Sequence, residues 1–247
     1  MDFICNICGA EVRDCPIERI DREISSCPQC GSTVRVRSII HLLSLALLGR
    51  SLPIPEFPYR RKNIVGLGMS DWQGYAEPLA EMFDYTNTFL HTQPFYDVAL
   101  GDAKRAGTCD FVISTDVFEH VTPPVDDAFD NVFALLKPGG HFIFSVPWTT
   151  DAQTDEHFPA IFEYRVVRFG DQYVVVNRTR DGAYELYEHP IFHGGAGETL
   201  EMRLFCEAHL WAQLTRAGFT DIRVLTEAVP EYGILPRTGM PFLARRP

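Results

Sequence analysis

Four cysteines near the start of the chain could bind a metal ion. Cys5 and Cys8 form one Cys-x-x-Cys turn, Cys27 and Cys30 form another, and a glycine follows each turn. Two such turns place four thiolates around one tetrahedral ion, the ligand arrangement of structural zinc. The alternative is two disulfides, which belong to oxidising compartments. Charges interrupt residues 1–14 where a signal peptide would be apolar, so we expect a cytoplasmic protein and predict a structural Zn²⁺ site.

A second group of reactive side chains follows an apolar run in the middle of the chain. Thr115 and Asp116 come directly after residues 111–114, which have the composition of a buried strand. Ligands of open α/β sheets bind at the carboxyl ends of such strands. His120 lies just beyond and is a candidate general base, because histidine titrates near neutral pH. The alternative is that Glu119 and His120 start the next helix and brace the loop.

Further histidines lie in the second half of the chain. His157 stands in Asp-Glu-His-Phe-Pro, whereas His189 and His193 precede Glu198 and Glu201 in a glycine-rich segment. We predict that His157 or His193, or both, contact a substrate and include them with His120 as candidate catalytic residues. A second metal site built from these histidines and glutamates is an alternative.

The elements that position these residues alternate between strand and helix. Residues 63–68 predict a strand that runs into a Gly-x-Gly turn, and residues 85–91 and 95–101 predict two more strands. Residues 109–147 predict strand, loop, helix and strand, with Pro138 and the glycines after it ending the helix. Strands that are apolar on both faces are typical of a parallel sheet covered by helices on both sides. We therefore predict a doubly wound α/β fold.

The stretch 109–147 resembles class I S-adenosylmethionine-dependent methyltransferases. An aspartate-led strand, a Glu-His-Val loop and Leu-Lys-Pro-Gly-Gly before a strand recur together in that family. The resemblance covers about residues 63–147 and 203–244. It implies a mostly parallel, Rossmann-like sheet and the transfer of a methyl group from S-adenosylmethionine to an oxygen or nitrogen atom.

The resemblance also implies a set of residues that hold the cofactor. The Gly-Asp-Ala at 101–103 resembles the motif whose aspartate reaches the adenine amino group, although a solvated turn aspartate is the alternative. The predicted cofactor-binding residues are Gly66, Gly68, Ser70, Trp72, Gly74, Asn87, His91, Asp102, Ala103, Thr115, Asp116 and Phe118.

Two parts of this cofactor site depart from the family pattern. The acidic residue that normally binds the ribose at the end of the second strand is missing, and Asn87, His91 or Gln93 could replace it. Trp72 and Phe118 could face the sulfonium cation, which aromatic rings attract, or could simply pack in the core.

The chain divides into three predicted segments. Residues 1–50 form the zinc ribbon and an apolar helix at residues 39–48, ended by Gly49, that packs the ribbon against the main domain. Before the helix, Arg35 and Arg37 alternate with apolar residues as on an exposed strand. Residues 51–62 form a proline-rich linker. Residues 63–247 form the methyltransferase-like domain, whose insertion at about 150–202 predicts a β-meander near the substrate.

Charge limits the classes of partner. The net charge of the chain is −11; residues 1–62 carry 9 basic and 7 acidic residues, which leaves 13 basic and 26 acidic for the rest. An acidic main domain disfavours nucleic acid as a substrate, and the longest apolar run is too short to span a membrane. We expect a small molecule or sugar-type metabolite as methyl acceptor. The alternatives are an RNA methyltransferase that docks its substrate on the ribbon and a non-catalytic binding protein.

Overall fold

Four α-helices and sixteen strands are formed by residues 1–58 and 61–247, which the computed structural model describes. The helices are α1 (Val34–Leu48), α2 (Gln73–Met82), α3 (Asp126–Leu135) and α4 (Glu207–Ala217). The strands are β1 (Phe3–Ile4), β2 (Glu11–Val12), β3 (Arg61–Met69), β4 (Phe83–Thr88), β5 (Cys109–Thr115), β6 (Leu136–Ser145), β7 (Trp148–Thr149), β8 (Asp155–Glu156), β9 (Glu163–Phe169), β10 (Gln172–Arg178), β11 (Tyr184–Glu188), β12 (Phe192–His193), β13 (Thr199–Leu200), β14 (Arg203–Cys206), β15 (Thr220–Val224) and β16 (Phe242–Arg245).

The central sheet has six strands in the order β15-β16-β6-β5-β3-β4. Strands β4, β3, β5 and β6 run parallel to one another, whereas β16 is antiparallel to both β6 and β15. Alternate residues of β5 enter the cores on opposite faces: Phe111 and Ile113 pack with α1 and α2, and Val112 packs with α3 and α4. The predicted doubly wound, mostly parallel sheet is confirmed. No helix among the described residues is long and apolar enough to cross a membrane.

The prediction of a third strand at residues 95–101 is wrong. In the described chain this stretch contributes one isolated bridge, Phe89 to Phe95, and then turns. The Asp97 side chain accepts a hydrogen bond from the backbone N–H of Ala99 at 2.9 Å, and its carbonyl accepts one from Gly101 at 3.0 Å. These local bonds use backbone groups that a strand would give to its neighbour, so β4 is the edge of the sheet.

The helix predicted to pack the ribbon against the main domain starts earlier than expected. Arg35 and Arg37 lie in α1 and not on an exposed strand, and the Arg37 side chain is fully buried. Its guanidinium donates to the carbonyl oxygens of Tyr232 and Gly233 at 2.8 and 3.0 Å. This buried cation joins the amino-terminal segment to the carboxyl-terminal part of the chain. Gly49 ends α1 with φ 71°, as predicted.

The segment predicted as an extended linker, residues 51–62, is partly folded. A short 3₁₀ turn covers Ile54–Glu56, and both Ile54 and Phe57 are buried in the core that the ribbon shares with α1 and α2. Residues 59 and 60 lie outside the described chain. Burial of these two apolar side chains explains why this segment packs against its neighbours despite its prolines.

The insertion contains the predicted meander. Strands β9, β10 and β11 form an antiparallel three-stranded sheet in the order β11-β10-β9. Gly170 adopts φ 59° in the two-residue turn between β9 and β10, where a side chain would be strained. After the meander, β12 pairs with β13, and β14 pairs with β7 and β8.

Candidate active site

A cavity of about 780 Å³ opens at the carboxyl ends of the parallel strands. Ser70 and Asp116, which follow β3 and β5, line it from the sheet, and His193 lines it from the insertion. Arg22 and Arg35 line it from the amino-terminal segment. A smaller cavity of about 200 Å³ shares Ser70 with the larger one. The site is thus assembled from three distant parts of the chain.

Two arginines of the amino-terminal segment fix Asp116. The Arg22 guanidinium reaches the two carboxylate oxygens of Asp116 at 2.6 and 3.2 Å, and Nε of Arg35 lies 3.3 Å from one of them. Ser145 donates to the same carboxylate at 3.0 Å. Burial raises the pKa of Asp116, but the two guanidinium groups outweigh it and the net pKa is lowered. Asp116 is therefore an ionised, fixed group, and its arginine partners were not identified from sequence because they lie about 80–95 residues away.

A buried carboxyl group, Asp71, lies beneath the turn that follows β3. Its side chain accepts a hydrogen bond from Tyr85 and lies 3.4 Å from the Thr115 hydroxyl. Asp71 is only 3% exposed, and burial raises its pKa to about 7. The Asn87 amide bonds the backbone N–H and C=O of Asp71 at 2.9 and 2.8 Å. Asn87 therefore braces this turn, and both its side-chain groups are engaged.

An Asp71→Asn substitution should change how stability depends on pH. The carboxyl pKa rises from 3.8 to about 7 in the fold, so the folded protein binds more protons than the unfolded chain between those values. Stability of the wild type therefore falls as pH increases across this window. Denaturation curves from about pH 4 to pH 7 should show the variant gaining about 1–3 kcal/mol relative to wild type. The exposed Asp84→Asn control should show no such gain; an equal pH profile for both proteins would contradict the assignment.

Gly66 and Gly68 lie within β3 and not in the turn that the Gly-x-Gly pattern predicted, and packing inside the domain leaves no room for a side chain at either position. A Cβ atom at Gly66 would lie 2.2 Å from the Phe111 ring, and one at Gly68 would lie 2.0 Å from the Tyr85 hydroxyl. At Gly74 the same atom would lie 2.2 Å from the Trp72 ring. These positions approach side chains, whereas the cavity is lined by Ser70 beyond them.

Other predicted cofactor residues separate into two groups. His91 lines the larger cavity together with Ser70 and Asp116, and Thr115 lies next to Asp116. Phe118, by contrast, is fully buried against Phe129, Phe142 and Phe144, which places it in the core instead of beside a sulfonium.

Asp102 and Ala103 also lie away from both cavity linings. The Asp102 carboxylate caps a short 3₁₀ turn, Ala103–Arg105, by accepting from the Lys104 N–H at 2.9 Å. The carboxylate that lines the smaller cavity is that of Asp97. Because residues 95–101 form a turn instead of a strand, the acidic side chain at the cavity is five positions earlier than the Gly-Asp-Ala motif indicated.

Two of the three candidate catalytic histidines line the larger cavity. Nδ1 of His120 lies 2.9 Å from the Leu200 carbonyl oxygen, and Nε2 of His193 lies 2.5 Å from a Glu201 carboxylate oxygen. His157 lines neither cavity, and its Nδ1 lies 3.2 Å from the Glu201 carbonyl oxygen. Glu119 is completely buried beside His120 and His193, and burial raises its pKa to about 7.

The four predicted zinc ligands come together at one point. The Sγ atoms of Cys5 and Cys30 are 3.6 Å apart, those of Cys8 and Cys27 are 3.8 Å apart, and all four lie within 4.8 Å of one another. All four cysteines are free, because a disulfide requires about 2.05 Å. A tetrahedral ion with zinc–sulfur bonds of about 2.3 Å separates its ligands by about 3.8 Å, so the cysteine geometry fits zinc.

Residues 56–223 match the model of a family described as a methyltransferase domain. A search of curated proteins found no match.

Several solved structures are similar to this chain. An amino pentose methyltransferase from Micromonospora echinaspora is 14% identical, with 88% of this chain and 93% of that chain covered and a TM-score of 0.48. A sugar N-methyltransferase from a Streptoalloteichus species is 18% identical, with 85% and 87% covered and a TM-score of 0.45. The 1,6-didemethyltoxoflavin-N1-methyltransferase of Burkholderia thailandensis is 18% identical, with 85% and 78% covered and a TM-score of 0.41.

Proposed function

Because the chain belongs to the methyltransferase-domain family, we propose that it transfers a methyl group from S-adenosylmethionine to an oxygen or nitrogen atom of a small molecule. The observation that supports this most directly is the cavity of about 780 Å³ at the carboxyl ends of β3 and β5. This is where open α/β sheets bind nucleotide-like ligands, and its volume is typical of small-molecule sites. A metabolite or a sugar-type compound is the acceptor class that we favour.

In this proposal the adenine lies in the smaller cavity. Apolar atoms of Val98, Ala99 and Val121 line that cavity, and the Asp97 carboxylate stands at its wall. One Asp97 oxygen accepts the Ala99 N–H at 2.9 Å, which leaves the other oxygen to accept from an exocyclic amine. Asp97 thus takes the role that the resemblance assigned to Asp102.

The acceptor would occupy the larger cavity, between the sheet and the insertion. The sulfonium of the cofactor is already activated, so holding the acceptor atom in line with the methyl group supplies most of the rate enhancement. His120 and His193 both line this cavity. His120 comes from the loop after β5, and His193 comes from β12. We retain both as acceptor-site residues and assign His157 a supporting position behind Glu201.

We also propose that Cys5, Cys8, Cys27 and Cys30 hold a structural Zn²⁺. The ion would fix the segment that carries Arg22, whose guanidinium is one wall of the cavity. In this proposal the amino-terminal segment is a component of the active site. It supplies Arg22 and Arg35, the two cations that contact the Asp116 carboxylate.

Calorimetry with S-adenosylmethionine tests the proposed activity. We expect the wild-type chain to bind the cofactor, and a Val117→Trp variant to bind it at least tenfold more weakly, because Val117 lines both cavities and an indole would fill the space between them. The matched control is Val166→Trp on the exposed face of β9, which should bind like wild type. Absence of binding heat and of a thermal shift for the wild type would refute the proposal.

A further inference from the structure

A compact group of side chains next to the larger cavity contains a buried carboxylate that has no hydrogen-bond partner among the described residues. It consists of Glu119, His120 and His193, with Glu201 behind His193, and we call it the Glu-His cluster. One ligand-type atom from each of Glu119, His120 and His193 lies within 4.8 Å of the other two. The residues come from the loop after β5 and from β12, so only the fold brings them together.

Glu119 is the least satisfied member of the cluster. Its side chain is 0% exposed, and neither carboxylate oxygen has a hydrogen-bond partner among the described residues. The nearest cationic candidates are Nδ1 of His193 at 3.6 Å and Nε2 of His120 at 3.7 Å, both beyond hydrogen-bond distance. A buried carboxylate without a partner is destabilising, so a cation between these atoms would stabilise the fold.

Both histidines are oriented as metal ligands usually are. Nδ1 of His120 lies 2.9 Å from the Leu200 carbonyl oxygen, which leaves Nε2 facing Glu119. Nε2 of His193 lies 2.5 Å from the Glu201 carboxylate, which leaves Nδ1 facing Glu119. In metal sites the second ring nitrogen of a ligating histidine commonly donates to a carbonyl or carboxylate, and that bond fixes the tautomer.

We propose that Glu119, His120 and His193 bind a divalent transition-metal ion. An ion with bonds of about 2.1 Å in tetrahedral geometry separates its ligand atoms by about 3.4 Å, close to the 3.6 and 3.7 Å found here. Two imidazoles and one carboxylate favour zinc, iron, manganese or a similar metal over magnesium or calcium. This set differs from the one that the sequence indicated, because His189 and Glu198 are exposed.

The ion would act at the acceptor side of the site. His120 and His193 both line the larger cavity, so the coordination positions that the protein leaves open face that space. Oxygen atoms of a small molecule, such as neighbouring hydroxyl groups or a hydroxyl beside a carboxylate, are the ligands that suit such positions. This assignment of the acceptor class rests on the proposed methyltransferase function, whereas metal binding by the cluster does not.

Cobalt(II) distinguishes the cluster from the cysteine site. The full chain would be dialysed against a chelator and titrated with Co²⁺, in the absence of S-adenosylmethionine. We expect one equivalent that produces only weak visible d–d absorption, in addition to any equivalent that produces the strong thiolate-to-cobalt band of a cysteine site. Glu119→Gln and His193→Gln should each weaken the first type of binding at least tenfold and leave the thiolate band unchanged.

Controls keep the outcome clear. His209→Gln alters a half-buried histidine outside the cluster, on α4, and should retain wild-type cobalt binding. His193 is 32% exposed in its side chain, so its variant should fold even where Glu119→Gln does not. If the wild type shows no equivalent free of the thiolate band, or if both cluster variants bind cobalt like wild type, the metal proposal is wrong. Cofactor calorimetry on the His193→Gln variant, without chelator treatment, separately reports whether the proposed function stands.

Discussion

A Cys27→Ser variant is expected to abolish the proposed zinc binding and to unfold the amino-terminal segment. Cys27 is 1% exposed, and its Sγ lies 3.8 Å from that of Cys8, so the serine hydroxyl cannot replace a thiolate ligand. Zinc contributes about 10–16 kcal/mol to the folding of small four-ligand domains. Even partial loss of that contribution should lower the unfolding free energy by about 5 kcal/mol or more.

The damage should spread into the main domain, because the two share one core. Phe3 and Ile7 of the ribbon pack in the same buried cluster as α1, Tyr75 of α2 and Phe111 of β5. Loss of this cover would expose one face of the central sheet. We therefore expect a fall in Tm on the order of 10 °C or more, and weaker cofactor binding because Arg22 and Arg35 would no longer hold Asp116.

Metal analysis and thermal unfolding check this expectation. The variant should contain about one zinc fewer per chain than wild type. Cys15→Ser is the matched control, because Cys15 is buried in the same segment but lies outside the four-cysteine group. Equal zinc content and equal Tm in wild type and Cys27→Ser would show that the cysteines bind no structural ion.

Features that depend on neighbouring residues could be predicted from the sequence. The strand, loop, helix and strand of residues 109–147 and the meander follow local rules of periodicity and turn chemistry, although α3 already ends at Leu135 and Pro138, predicted to end the helix, lies in β6. Each Cys-x-x-Cys turn is also a local feature, and the four cysteines of the two turns come together in the fold. Residues 109–147 account for strands β5 and β6 of the central sheet and for helix α3.

Features that depend on competition between local and distant contacts could not be predicted. Residues 95–101 have strand composition, but Asp97 bonds its own backbone neighbours and forms a turn. Arg37 alternates with apolar residues as in a strand, yet its guanidinium finds carbonyl partners about 195 residues away and lies buried in α1. In both cases the local sequence pattern indicated a strand, whereas the side chains make hydrogen bonds that this pattern does not reveal.

The candidate site shows the same division. His120 and His193 were identified from residue type, but the complete burial of Glu119 and its lack of hydrogen-bond partners only become visible in three dimensions. Asp116 was expected to bind the cofactor; it lines the larger cavity, and two arginines of the amino-terminal segment, which the sequence did not indicate, hold it in place. Asp116 and Glu119 are both acidic residues at the site, but Asp116 is neutralised by two arginines whereas the buried Glu119 oxygens have no hydrogen-bond partner among the described residues.

The loop that carries Glu119 and His120 depends on a second buried arginine, Arg203. Its side chain is 0% exposed. One guanidinium nitrogen donates to the carbonyl oxygens of Phe118 and Val121 at 2.9 and 2.7 Å, and Nε contacts Glu156 at 2.6 Å. Because these carbonyls flank the loop, Arg203 sets the position of both Glu119 and His120.

An Arg203→Met variant should therefore be strongly destabilised and should also distort the Glu-His cluster. Methionine fills much of the space but leaves two buried carbonyl groups and Glu156 without their donor, which we expect to cost about 3–5 kcal/mol of unfolding free energy. Chemical denaturation measures this loss, and the cobalt titration should show weaker binding by the cluster. Arg178→Met, which removes an exposed pair with Glu163, should cost less than about 1 kcal/mol. Equal losses in the two variants would mean that Arg203 does not brace the loop, whereas failure of Arg203→Lys to restore stability would support the need for a planar guanidinium that reaches both carbonyls at once.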